Sequence, residues 1–158
     1  MDAAQRPRAF RVLVHSSNPP STASGYGTQM RVIVRALMSV GFEVVVLTHA
    51  AQLHPQQGTA AWTLDAFGAL NPSVKAWVEE QDDCHAWLQR VTWCGNANPR
   101  GRVDKAALNQ LLLDNAVDLY VSFYDVFVNS SAACVVPAVT LQPLHFYPLP
   151  QGDHMALA

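Results

Sequence analysis

The sequence predicts one α/β domain, three layers thick, built on a mainly parallel sheet. Three observations carry that expectation. Apolar runs alternate with segments of helical periodicity from Phe10 onward. The runs are nearly continuous, the pattern of strands covered on both faces. Between the first two lies a segment long enough for a crossover helix, the connection that parallel pairing requires. At 158 residues, half of them hydrophobic and 14% charged, the chain can bury one sizeable core and is too short for two full domains.

Phe10 to His15 is the first strand, followed by the small-residue loop SSNPPSTASGYGTQ, Ser16 to Gln29. From Gly27 to Val40, Met30, Ile33, Val34, Leu37 and Met38 recur at helical spacing, with Arg31 and Arg35 on the other side. Gly41 supplies a left-handed C-terminal cap, and the β-branched run Phe42 to Ala50 is the second buried strand. Pro55, Gly58, Gly68, Pro72, Gly95 and Pro99 break the next stretch into short pieces. Within it a helix is expected from Ser73 to Gln89, with Val74, Trp77, Val78 and Leu88 inward and Glu79, Glu80, Asp82 and Asp83 in water. Asp104 to Asn115 is helical, with a stripe of Leu108, Leu111 and Leu112. Asp118 to Asp125 and Ala138 to Pro143 are further strands. The expected domain runs over residues 1–150, with 151–158 the start of a linker or tail.

Composition excludes several functions. A formal charge of −2 with interspersed signs leaves no basic footprint for nucleic acid or an anionic membrane. Cys84, Cys94 and Cys134 lack the C-x-x-C spacing of a zinc site or redox pair and read as reduced, mostly buried thiols. His145 and His154 read as surface residues, and no histidine pair has metal-ligand spacing. No metal or cofactor is expected. The start MDAAQRPRAF has no apolar signal core, and no apolar run has the length of a membrane span. The expectation is a cytoplasmic protein in which Asn129-Ser130-Ser131 matches the glycosylation sequon by chance.

Gly25 and Gly27 bracket a helix start, where unpaired N–H groups and the positive dipole end favour phosphate, carboxylate or sugar oxygens. The alternative is that they only let a long loop turn and pack. A dinucleotide fingerprint would need a third glycine at Met30 and an acid after the second strand, where Thr48 and His49 stand. No G-K-[ST] follows the loop, and there is no G-x-S-x-G elbow.

Taken together, RVLVHSSNPPSTASGYGTQMRVIVRALMSVGFEVVVLTHA resembles the N-terminal domain of retaining GT-B glycosyltransferases of the group-1 or family-4-like class. That class opens with a strand, a loop bearing S-G-x-G, a helix, then G-[HF]-E-V and a second strand. This chain has Ser24-Gly25-Tyr26-Gly27 and Gly41-Phe42-Glu43-Val44 in that order. The likeness resumes at VDLYVSFYDVFV and at VPAVTLQPLHFYPLP, where Pro143-Leu144-His145 stands in place of the P-[VIL]-D of some relatives.

The resemblance implies half of a GT-B fold with a Rossmann-like sheet. In such enzymes the first domain receives the acceptor, and the second grips the nucleotide-sugar with an E-x₇-E pair that this sequence lacks. It implies that Gly25 and Gly27 face donor phosphate or acceptor, with Tyr26 and Gln29 as polar contacts. Asp125, at the expected strand end, would orient an acceptor hydroxyl in catalysis, or else cap the helix that follows. His15 would either reach the cleft or be a satisfied core histidine. The partners implied are a nucleotide-sugar donor, a sugar-accepting substrate, and a C-terminal domain or partner chain. The chain alone is expected to be catalytically incompetent. The rival reading is a stand-alone binding domain docking a separate chain through Leu144 to Pro150, where Phe146 and Tyr147 lie; a third is a remnant without activity.

Overall fold

The computed structural model of the chain describes residues 8–49, 61–62, 64–96, 103–123 and 134–141. Strands are β1 (Arg11–Ser16), β2 (Glu43–His49), β3 (Ala61–Trp62), β4 (Val91–Asn96), β5 (Leu119–Phe123) and β6 (Ala138–Leu141). Helices are α1 (Gly25–Ser39), α2 (Leu64–Leu70), α3 (Pro72–Glu79), α4 (Cys84–Arg90) and α5 (Lys105–Asp114). No helix among the described residues is long and apolar enough to cross a membrane.

The sheet runs β3-β4-β2-β1-β5-β6. Every pairing is parallel except β3 with β4, so five strands form a parallel Rossmann-like sheet with one short antiparallel edge. Progression goes outward from β1 through β2 to β4, then returns across it to β5 and β6. The reversal lies between β1 and β5, which makes their C-terminal ends the topological switch point.

Strand alternation divides the core into two layers. Val12, Val14, Val44, Val46 and Trp93 face one side, packed with Met30, Val34 and Met38 of α1 and with Phe67, Val74, Val78 and Trp87 from α2 to α4. Leu13, Val45, Leu47, Cys94 and Tyr120 face the other, against Leu108, Leu111 and Leu112 of α5. The near-continuous burial of β1 and β5 is what a parallel sheet covered on both faces demands. Gly41 has φ of +97° just past the end of α1, and its N–H donates to the Met38 carbonyl, the expected left-handed cap.

The structure departs from the sequence reading in the middle of the chain. The helix expected over 73–89 is two helices, α3 and α4, separated by residues 80–83, where Gln81 N–H reaches the Val78 carbonyl and Cys84 N–H reaches that of Gln81. These tight turns rotate the following segment, so Leu88 is 49% exposed and Trp87 is fully buried instead. Asp83 is also more than a solvated acid, since it accepts a hydrogen bond from Trp87 Nε1 at 3.0 Å. The strand β4, hidden by Gly95 in the sequence reading, is a central strand paired over six positions with β2.

At the N-terminal edge of the sheet charged groups pin β1. Arg11 donates to Glu43 on β2, and Asp118, at the entrance to β5, accepts from the Arg11 backbone N–H at 2.8 Å and from Arg8 at 2.5 Å. The Arg11 N–H, chiefly, holds the Asp118 carboxyl below the usual aspartate range; partial burial opposes it, and the Arg8 and Arg11 charges add to the lowering. A value depressed by folding contributes stability that is complete above the ordinary aspartate range and is lost as pH falls through the depressed value. Asp118→Asn is therefore expected to flatten the acid side of the stability curve slightly, because water screens most of the effect. Parallel curves for the two proteins at low pH would contradict this.

Candidate functional site

The candidate site begins where β1 ends. Ser16, the last residue of that strand, is fully buried, and the chain turns over the start of α1 through residues 17–24. This loop holds itself together: Thr22 N–H donates to the Pro19 carbonyl at 3.0 Å, and Asn18 Nδ2 donates to Ser24 Oγ at 2.8 Å. Ser24 is the N-cap, in extended backbone, and its Oγ accepts the Gly27 N–H at 3.1 Å. Serine suits this position because its short hydroxyl satisfies a donor that no helical carbonyl can reach.

The two glycines have different tasks. A Cβ at Gly27 would sit 2.2 Å from the Thr22 carbonyl oxygen and 2.9 Å from that of Pro19. Gly27 is thus the contact that lets the loop lie on the first turn of the helix. A Cβ at Gly25 would meet nothing within 4 Å, and Gly25 is exposed. Of the pair, Gly25 offers open backbone at the positive end of a fifteen-residue helix, where an anionic or hydroxylic oxygen is favoured. Tyr26 and Gln29, half-buried, follow on the same first turns.

His15 lies elsewhere. It alternates with Leu13 and so projects to the opposite face from α1, where it is fully buried and its Nδ1 shares a hydrogen bond of 2.8 Å with the Tyr120 hydroxyl. The ring thus lies within the second core layer, with the Tyr120 phenol as a partner. Burial, chiefly, pushes the Tyr120 hydroxyl well above the usual phenol range; the neighbouring Cys134 adds to this and Ser122 opposes it. Tyr120 therefore stays a neutral phenol. Ser122 and Thr140 continue the polar row with a 3.0 Å hydroxyl pair joining β5 to β6.

Sequence reasoning passed over Tyr120, Ser122 and Thr140. The signal was available in the period-two spacing of Tyr120 and Ser122 within an otherwise apolar strand. Thr48, which the sequence singled out only as standing where a dinucleotide site needs an acid, has its Oγ1 buried near the end of β2 with no hydrogen-bond partner among the described residues. Asp125, the expected catalytic residue, and the segment from Leu144 to Pro150 lie outside the described residues.

The three cysteines are free: Cys94 is buried, Cys84 and Cys134 half-buried. Burial pushes the Cys94 thiol up to about 12, which removes it as a nucleophile near neutral pH. Among the described residues no group of three or more His, Cys, Asp or Glu could hold a metal ion. The structure thus brings Gly25, Tyr26, Gly27 and Gln29 together at one helix start and leaves His15 behind the sheet. Compared with models of known families, with curated proteins and with solved structures, the chain has no match.

Proposed function

We propose that this chain is the acceptor-side domain of a retaining glycosyltransferase that transfers a sugar from a nucleotide-sugar donor. The observation that carries the reading is the place of Ser24-Gly25-Tyr26-Gly27: the loop ends β1 and starts α1 beside the β1/β5 switch, where open parallel sheets receive ligands. The exposed Gly25 backbone leaves room for sugar or phosphate oxygens to approach the helix N-terminus, where Tyr26 and Gln29 would supply polar contacts. Asp125 would orient the acceptor hydroxyl. Transfer further requires positive groups to neutralise charge on the departing phosphate, and in this class those belong mainly to the donor-binding half.

A second reading, a non-catalytic partner domain, is favoured by one feature. Val135, Val139 and Leu141 are exposed around β6, at the end of the described sheet where a second domain or a separate chain would cover them. The test is a titration of the isotopically labelled 158-residue chain with nucleotide-sugars and oligosaccharides, read at the Gly25 and Tyr26 amides, alongside a turnover assay. Shifted amides without turnover are expected. Amides silent toward every carbohydrate and nucleotide-sugar would favour the partner domain, and sustained turnover by this chain would refute the half-site reading.

A further inference from the structure

A second concave site lies at the other end of α1. There the C-terminal half of α1 and the short helix α4 flank an open groove of about 600 Å³, within the roughly 300–1,000 Å³ span of small-molecule sites. Ala36 and Ala86 keep the flanks low, while Met38 and Trp87 close the groove toward the core. Arg35 enters from α1 and Arg90 from the last turn of α4.

Both guanidinium groups are held by neutral acceptors. Arg35 Nη1 donates to Gln81 Oε1 at 3.1 Å, and Arg90 Nη2 donates to the Phe42 carbonyl. Arg8, Arg11 and Lys75 each have a carboxylate at ion-pair distance; among the described residues Arg35 and Arg90 have none. Each fork of five donors therefore retains N–H groups for a further acceptor.

Within the lining, one acid stands against the two arginines. Asp83 lines the groove with one negative charge, and the end of α4 adds about half a charge. The last carbonyls of α1 are already covered, with N–H groups of Val40, Gly41 and Phe42 donating to Ala36, Met38 and Leu37. The lining therefore carries two full positive charges against one full negative charge.

We propose that the groove binds a small organic phosphate, its phosphoryl group bridging Arg35 and Arg90 and its organic part lying over Ala36 and Ala86. Phosphate is preferred to carboxylate because one guanidinium fork satisfies a carboxylate bidentately, whereas three phosphoryl oxygens can be shared between forks from two helices. The site is independent of Gly25, since α1 carries the two at opposite ends.

The experiment is a titration of the labelled chain with phenyl phosphate, inorganic phosphate and benzoate, read at the Trp87 indole N–H and the arginine Nε–H resonances. Saturable shifts are expected with phenyl phosphate, weaker binding with inorganic phosphate and the weakest with benzoate. Arg35→Gln, which gives up only a surface contact to Gln81, should keep the fold and lower the phenyl phosphate affinity about tenfold, one charge-assisted hydrogen bond's worth. Arg90→Gln is the second variant, with unfolding checked because of its bond to Phe42. No saturable shift with phenyl phosphate, equal affinity for benzoate, or undiminished affinity in folded Arg35→Gln would overturn the proposal. Inorganic phosphate binding as tightly as phenyl phosphate would overturn its organic half.

Discussion

Gly27→Ala is expected to destabilise the protein by about 3 kcal/mol, at the upper end of what overpacking costs, while Gly25→Ala stays within about 0.5 kcal/mol of the parent. The added methyl at position 27 would stand 2.2 Å from one carbonyl oxygen and 2.9 Å from another. Neither is the yielding end of a side chain; both belong to backbone. The loop cannot shift cheaply, because Asn18 is tied to Ser24 and Thr22 to Pro19. At position 25 the same methyl projects into open space. Thermal unfolding of the two variants checks the difference directly, and equal melting temperatures would contradict it. The same pair separates folding from binding. A ligand approaching the helix start should lose affinity in the folded Gly25→Ala variant, where stability gives no reason for a change.

This division was not legible in the sequence, where a G-x-G spacing shows two equivalent glycines. What was legible was the unit around them. The apolar runs of Val12 to Val14 and Val44 to Leu47, the helical stripe between them and the Gly41 cap are local signals that tertiary contacts did not override. The role of Gly27 depends on carbonyls of Pro19 and Thr22, whose positions follow from the path of the loop and not from spacing. His15 is a similar case. Its partner Tyr120 is distant in sequence and is met only because β1 and β5 pair side by side. The groove between α1 and α4 was equally invisible, since it depends on where the chain breaks between α3 and α4.

That break underlies the other large effect. Trp87→Ala is expected to cost about 3–5 kcal/mol, and Leu88→Ala within about 0.5 kcal/mol. In an unbroken helix from Ser73 to Gln89, Leu88 lies on the stripe of Val74, Trp77 and Val78 and would be the costly position. With the helix interrupted at residues 80–83, Trp87 points inward, fully buried, edge-on to Trp77 with ring centroids 4.8 Å apart, while Leu88 is half exposed. Asp83, at the N-cap of α4, accepts from the indole N–H at 3.0 Å, so removal of the ring opens a cavity and also releases the acid. Urea unfolding of the two variants decides between the arrangements. If Leu88→Ala proved the more damaging, the two-helix packing against α1, and with it the groove of Arg35 and Arg90, would be wrong.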